Sequence, residues 1–384
     1  MAIEVSVGTS ESFDPVEAFA DAAGEAAEGL SGDCDLALVF ATAPHLGHGK
    51  WLLSAVHERL EPRHLLGCGA GGVVGAGREI EEGPGAVVWA LSAPRAEITT
   101  HHIEVEADGS ELRGLPDPGE LGEAMIVLAD PYTFRTEALL GWIDEARPGL
   151  PVLGGLASAA AAGSASLFRD GDVLAAGAVA CALSGVAMVP CVSQGARPIG
   201  PEMTVTAAHR NVIEELASAP ALDRLREAIG ELDPAEQRLA AEGLMLGLVI
   251  DENQPSYDRG DFLVRPIIGA DPEQGTIAIG ERVRIGQTVR MHVRDGDSAD
   301  EDLREALRTQ ARALGTAGAA GALLFTCNGR GSHMFSAPDH DALAVQDSLG
   351  VPAGGFFCAG EIGPVGGHNY LHGFTATMAV FPRE

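Results

Sequence analysis

Cys327-Asn328-Gly329-Arg330-Gly331 follows an apolar run, GALLFT, that reads as a strand. Strand ends in α/β sheets are where ligands commonly bind. The glycines beside Arg330 let backbone N–H groups and the guanidinium approach one anionic group, and Arg is a natural bidentate partner for carboxylate or phosphate. Arg330 therefore either contacts a ligand or pairs with a structural Asp. Glu361, within Gly360 to Pro364, is expensive to bury unpaired. It either meets Arg330 in an ion pair or receives a ligand's ammonium group. Acting on one molecule, the two residues would suit the two charges of an amino acid.

Cys327 and Cys358 each end an apolar run near these groups. A nucleophilic thiol needs a base within reach and a lowered pKa. His333, His340, His368 and His372 are the sequence-near bases, although a small buried cysteine is the commoner outcome. If the chain is an enzyme, Cys327 or Cys358 is its nucleophile, in a hydrolase or lyase acting on a small carboxylate. His368 and His372 are four apart in a strand-like context with no HExxH, and His45 and His48 are no better placed, so no metal is expected. Leu66 to Gly72, containing Cys68, is glycine-dense like a phosphate loop. It lacks GK[ST] and is followed by a strand-like segment, so neither a nucleotide nor any other cofactor is expected. Its glycines fit close approach to a ligand or a facing strand. Gly154-Gly155 with Ser158 occupies the equivalent place further on, and Arg197 in SQGARPIG adds a turn candidate.

These residues sit in a chain of 384 residues with 46% hydrophobic and only 5% aromatic content, so the core rests on Ala, Val, Leu, Ile and Gly. The formal net charge of -30 argues against nucleic acid and against an anionic membrane surface. Lys50 is the single lysine, and this Arg, Ala and Gly bias reads either as a GC-rich genome or as salt adaptation. Six scattered cysteines without CxxC, and an N-terminus without basic or apolar leader features, predict reduced thiols in the cytoplasm. The uncharged stretch from Val173 to Ala196 is long enough to span a bilayer, but its composition predicts two buried strands joined at Ser184-Gly185.

The positioning elements repeat. LALVFA (Leu36 to Ala41), a helix over Lys50 to Leu60, LLGCGAGGVVGAG and GAVVWAL form one unit. MIVLADP, a helix over Glu137 to Ala146, PVLGGLASA and AAGAVACALSG form a second. GALLFTCNGRG, a helix over Asp339 to Leu349, VPAGGFFCAGEIGPVGG and HGFTATMAVF form a third. Each reads strand, helix, glycine-dense strand, strand, with continuous apolar runs as in sheets covered on both faces. The expected fold class is α/β, with mixed, largely buried sheets flanked by helices. Between the second and third units, Val205 to Asp233 reads as helical, Ala235 to Glu242 as a short helix, and Gly243 to Val293 as strands and turns. An acidic run then opens a helix over Asp295 to Leu314. The expected division is an N-terminal segment 1–30, a domain 31–242 with bridging helices, and a domain 243–384.

The segments LLFTCNGRGSHMF, GGFFCAGEIGPVGG and LHGFTATMAVF closely resemble the signature of the C-terminal FIST domain (F-box and intracellular signal transduction). LALVFATAP, LLGCGAGGVVGAG, VLGGLAS and VSQGARPIG are similar to the N-terminal FIST domain. The resemblance implies a bacterial sensory protein of signal transduction that binds a small ligand, an amino acid or a related carboxylate. The chain departs from the family's better-known settings in showing no F-box-like segment and no kinase, cyclase or methyl-accepting region, so it reads as a stand-alone form whose output passes to a downstream partner or does not exist. Its ligand-binding candidates are Cys68, Gly155, Arg197, Cys327, Asn328, Gly329, Arg330, Cys358, Gly360 and Glu361. The remaining alternatives are the cysteine enzyme and a protein-interaction scaffold. A homo-oligomer would need an apolar contact surface to offset self-repulsion.

Overall fold

In the computed structural model, residues 3–106, 109, 111–159 and 167–383 are described. The chain forms two compact units, Met1–Ser193 with Leu303–Glu384, and Gln194–Asp302. This division does not coincide with the one expected near Gly243.

The first unit realises the α/β expectation three times over. Strands Leu36–Thr42 and His64–Ala70 run parallel around helix Gly49–Leu60, and Ala86–Ser92 returns antiparallel beside the first. Ala124–Ala129, helix Thr136–Ala146, Val152–Leu156 and Ala178–Ser184 repeat that arrangement. So do Ala319–Cys327, helix His340–Leu349, Ala353–Cys358 and Ala376–Pro382. In each repeat a hairpin follows the second strand, and each hairpin joins a different repeat's sheet. The hairpin Val73–Gly75/Arg78–Ile80 pairs with Ala353–Cys358, Leu167–Arg169/Asp172–Leu174 with His64–Ala70, and Glu361–Val365/His368–His372 with Val152–Leu156. The exchange closes on itself, so no repeat is complete without the other two.

Alternation explains the two-sided burial. In Leu36–Thr42, Leu36, Leu38 and Phe40 enter a core shared with Ile126, Leu128, Leu323 and Phe325 of the other sheets. The opposite face, Ala37, Val39 and Ala41, lies under helices. One of those helices, Pro15–Glu28, buries Ala18, Phe19, Ala22, Ala23 and Ala26, and Asp14 caps it through the Val16 and Glu17 amides. Small residues at this contact let helix and sheet approach closely, and a Cβ on Gly8 would stand 1.9 Å from the Ala22 carbonyl oxygen. The low aromatic share of the sequence is thereby accounted for.

The same logic fixes the glycine-dense strands. Gly67, Gly154 and Gly355 are cross-strand partners of Val39, Val127 and Leu324. A Cβ on them would stand 2.1, 1.9 and 1.7 Å from those residues' carbonyl oxygens. Of the two explanations for these glycines, the facing strand is the one realised here.

The uncharged stretch becomes strands Ala178–Ser184 and Val189–Ser193, which join different sheets, the second pairing with Ala376–Pro382. Among the described residues no helix is long and apolar enough to cross a membrane.

The second unit begins just after strand Val189–Ser193 and ends at Asp302, within helix Gly296–Leu314. Its antiparallel order is Arg197–His209, Thr288–Val293, Met245–Val249, Phe262–Asp271, Thr276–Ile279 and Val212–Leu216. Val212–Leu216 also pairs back onto Arg197–His209, which closes a barrel around Val205, Ile213, Leu246, Ile277 and Met291. The helix expected from Val205 onward therefore begins only at Ala221–Glu231. Residues 205–216 are strands because Arg210, at φ 55°, turns the chain back so that His209 pairs with Val212. The spacing of NVIEEL suits a helix or a strand, and barrel closure chose the strand. The short helix over Ala235 to Glu242 is present as Pro234–Gly243.

His292 lies fully buried on this barrel, its Nδ1 3.0 Å from the Arg290 carbonyl oxygen and its ring edge-on to Phe262 at 4.9 Å. Burial lowers its pKa from 6.5 to about 4. The folded state thus resists a proton that the unfolded chain accepts below about 6.5. The neutral ring's contribution is complete above that value and is lost as pH falls toward 4. Through this residue alone, stability at pH 5 is expected to be about 2 kcal/mol below that at pH 7. Urea unfolding of His292→Gln at both pH values checks this, and a pH dependence equal to the wild type's would refute it.

Candidate functional site

The second strands of the three repeats end together. The Ser158 amide donates to the Gly69 carbonyl at 3.2 Å, the Ala359 amide to Leu156 at 3.0 Å and the Phe357 amide to Gly72 at 2.9 Å. Ser158 links two repeats further. Its hydroxyl accepts the Gly71 amide at 2.8 Å and donates to the Phe357 carbonyl. The Asn328 amide donates to Cys358 at 3.0 Å, which brings the Cys327-to-Gly331 turn to the same place. Gly71, Asn328 and Ala359 are exposed here and Ser158 is half-buried. These residues make a polar floor built from all three repeats.

Below the floor lie buried thiols and a carboxylate. Cys327 and Cys358 are cross-strand partners, and Gly155 is the partner of Glu361. A Cβ on Gly155 would stand 2.4 Å from the Cys358 sulfur, so this glycine makes room for that thiol. Glu361 is fully buried and its Oε2 accepts the Thr375 amide at 3.0 Å. Burial, with Glu361 beside it, pushes the Cys327 thiol up to about 12. Burial first, then Glu361, Cys68 and Cys327, hold Cys358 well above its ordinary value, and burial does the same to Cys68. Thiols held in the neutral form are weak nucleophiles, which counts against cysteine catalysis.

Arg330 turns inward. It is fully buried and grips Asp341 with two bonds, Nε to Oδ2 at 2.7 Å and Nη2 to Oδ1 at 2.8 Å. Its guanidinium lies over the Phe335 ring at 5.2 Å, and that ring stacks on His340 at 3.5 Å. The Thr326 hydroxyl and His340 Nδ1 add contacts to the Asp341 carboxylate at 2.6 and 2.9 Å. Burial alone would raise Asp341, but Arg330 and these donors hold it well below the usual carboxylate range. Glu79, from the first repeat's hairpin, accepts the Asp341 and Ala342 amides at 2.8 and 2.9 Å. Burial and the nearby Asp341 raise Glu79 to about 7. Of the two roles open to Arg330, pairing with a structural Asp is realised. Nothing in the sequence singled out Asp341, which stands two places after Asp339 at an ordinary helix start.

Nine of the ten candidates thus gather in one region: Cys68, Gly155, Cys327, Asn328, Gly329, Arg330, Cys358, Gly360 and Glu361. The tenth, Arg197, belongs to the second unit and pairs with Glu236 at 3.0 Å. Of the histidines considered as bases, His340 meets Asp341, His368 meets Asp144 at 3.4 Å, and His372 meets the Gly363 carbonyl at 3.0 Å. Among the described residues no group of three or more His, Cys, Asp or Glu is arranged to hold a metal. Gly71 lies in the glycine-dense Leu66 to Gly72 segment already singled out, whereas Phe374 escaped the sequence reading. The Phe374 ring reaches so close to Gly329 that a Cβ there would stand 2.5 Å from it.

Residues 35–218 match the FIST N domain and residues 221–364 the FIST C domain. The chain is 44% identical over 384 residues to the uncharacterized protein Rv0628c of Mycobacterium tuberculosis (strain ATCC 25618 / H37Rv), covering 99% of this chain and 100% of that one. It is 42% identical over 383 residues to the uncharacterized protein Mb0898c of Mycobacterium bovis, covering 99% of each. The two domain matches together cover most of the chain, and the chain belongs to the FIST family, whose domains are associated with sensory roles in signal transduction.

Proposed function

We propose that this protein is a small-ligand-binding sensory component of signal transduction, with its site at the floor formed by Gly71, Ser158 and Asn328 above Cys327 and Glu361. The observation that carries this reading is a fully buried carboxylate, Glu361, beneath a polar surface to which all three repeats contribute. A carboxylate held out of water binds N–H donors strongly, and a ligand that reaches it can supply them. The ligand is an amino acid or a related small carboxylate, and the occupied state is read by a downstream protein. The protein works in the reducing cytoplasm, which suits six buried cysteines that form no disulfide among the described residues.

Thermal unfolding against a panel of amino acids, organic acids and nucleotides tests this. A ligand at about a hundred times its Kd adds about 2.7 kcal/mol to the folded state. One compound class should raise the midpoint of the wild type and fail to do so for Glu361→Gln and Asn328→Ala. A flat panel, or shifts that survive both substitutions, would refute the proposed site.

A further inference from the structure

Phe374 has a backbone conformation that a bulky residue rarely adopts, with φ 62°. The residue is also 49% exposed, so it is not part of the buried core. Three ties hold it and its neighbours over the site. The ring lies against Gly329, the Phe374 amide bears on the Cys327 sulfur, and the Thr375 amide donates to Glu361 at 3.0 Å. Strained backbone at such a place is commonly part of a binding mechanism. The exposed ring stands one residue before the Thr375 amide that covers Glu361, and a ring and a carboxylate brought together form a receptor for an organic cation, since the ring's quadrupole and the carboxylate attract the same charge. The net charge of -30 draws cations toward the surface and repels anions. Arg330, the side chain best suited to an anion, already holds Asp341 through two bonds.

Resting on the site reading above, we propose that Glu361 and Phe374 select the ligand by an ammonium group, and that the segment around Phe374 lifts to admit it. The ligand's N–H donors take the place of the Thr375 amide on Glu361, and the ammonium settles against the Phe374 ring. Leaving the left-handed conformation relieves strain and offsets part of the lost contact with Gly329. Amino acids and amines belong to the accepted class, and carboxylates without an amino group do not.

Three probes of matched size, butylamine, 4-aminobutyrate and butyrate, separate the possibilities by thermal shift and calorimetry. Both amines should raise the midpoint and butyrate should not. Phe374→Leu keeps the bulk without the aromatic face and should weaken amine binding about fivefold. Phe374→Tyr should retain it, and Glu361→Gln should abolish it while the unliganded protein keeps its circular dichroism. Butyrate binding as well as butylamine, or amine affinity unchanged in Phe374→Leu, overturns the ammonium inference and leaves the site reading standing. No shift by either amine also overturns it. The site reading itself falls on its own test, a wider panel that is flat or shifts that survive both Glu361→Gln and Asn328→Ala.

Discussion

Asp341→Ala is expected to destabilise the protein by about 3–5 kcal/mol, because it leaves the Arg330 guanidinium buried without its carboxylate. Both side chains are essentially inaccessible, at 0% and 1% exposure, so solvent cannot take over the lost contacts. The same substitution strips the Thr326 hydroxyl and His340 of their shared acceptor. Arg330→Met should cost less when combined with Asp341→Leu than the two single changes cost in sum. The reason is that an apolar pair removes both charges together, whereas a single change strands one. Denaturant unfolding of the four proteins completes the cycle, and additive losses would refute direct coupling. The pair's contribution also has a pH signature. Asp341 titrates below its ordinary value in the folded state, so its stabilisation is present above about 3.8, the usual aspartate value, and disappears as pH falls through the lower folded value. Acid should therefore unfold the Asp341→Asn variant with a shallower dependence than the wild type.

Gly355→Ala should be at least as damaging to folding, with a loss of about 3 kcal/mol or more from overpacking. The new Cβ would stand 1.7 Å from the Leu324 carbonyl oxygen, a backbone atom of the paired strand that cannot swing aside as a side chain could. Moving that strand disturbs the Cys327 turn at its end, so ligand binding should fall together with stability. Gly141→Ala is the matching control. It lies in helix Thr136–Ala146 with nothing within 4 Å of its would-be Cβ, and should gain about 1 kcal/mol from helix propensity. Should Gly355→Ala unfold at the wild-type urea midpoint, the close strand approach inferred for all three repeats is mistaken.

The residues of the candidate site stood out in the sequence because the turn around Arg330 and the run around Glu361 combine charges with glycines at the ends of apolar strands. Their partners did not. Asp341 starts a helix as many acidic residues do, and its contact with Arg330 depends on how that helix packs back on the strand Ala319–Cys327. Ser158 and Gly71 come from the second and first repeats, and only the exchange of hairpins brings them beside Asn328. Phe374 looked like one more apolar residue of the closing strand, and its left-handed backbone is a property of the folded loop.

By itself the sequence determined the strand, helix, glycine-dense strand, strand order within each of the three repeats, because apolar spacing and glycine density are local and each repeat carries its own copy. It also determined that the strands are buried on both faces. What only the tertiary structure decided was which edge each hairpin completes, that residues 197–216 are strands of a closed barrel, and that Arg330 faces a carboxylate of its own chain. Those outcomes depend on pairing between distant segments. A strand edge accepts any partner whose register buries its apolar face, and the whole set of edges must be satisfied at once before the choice is made.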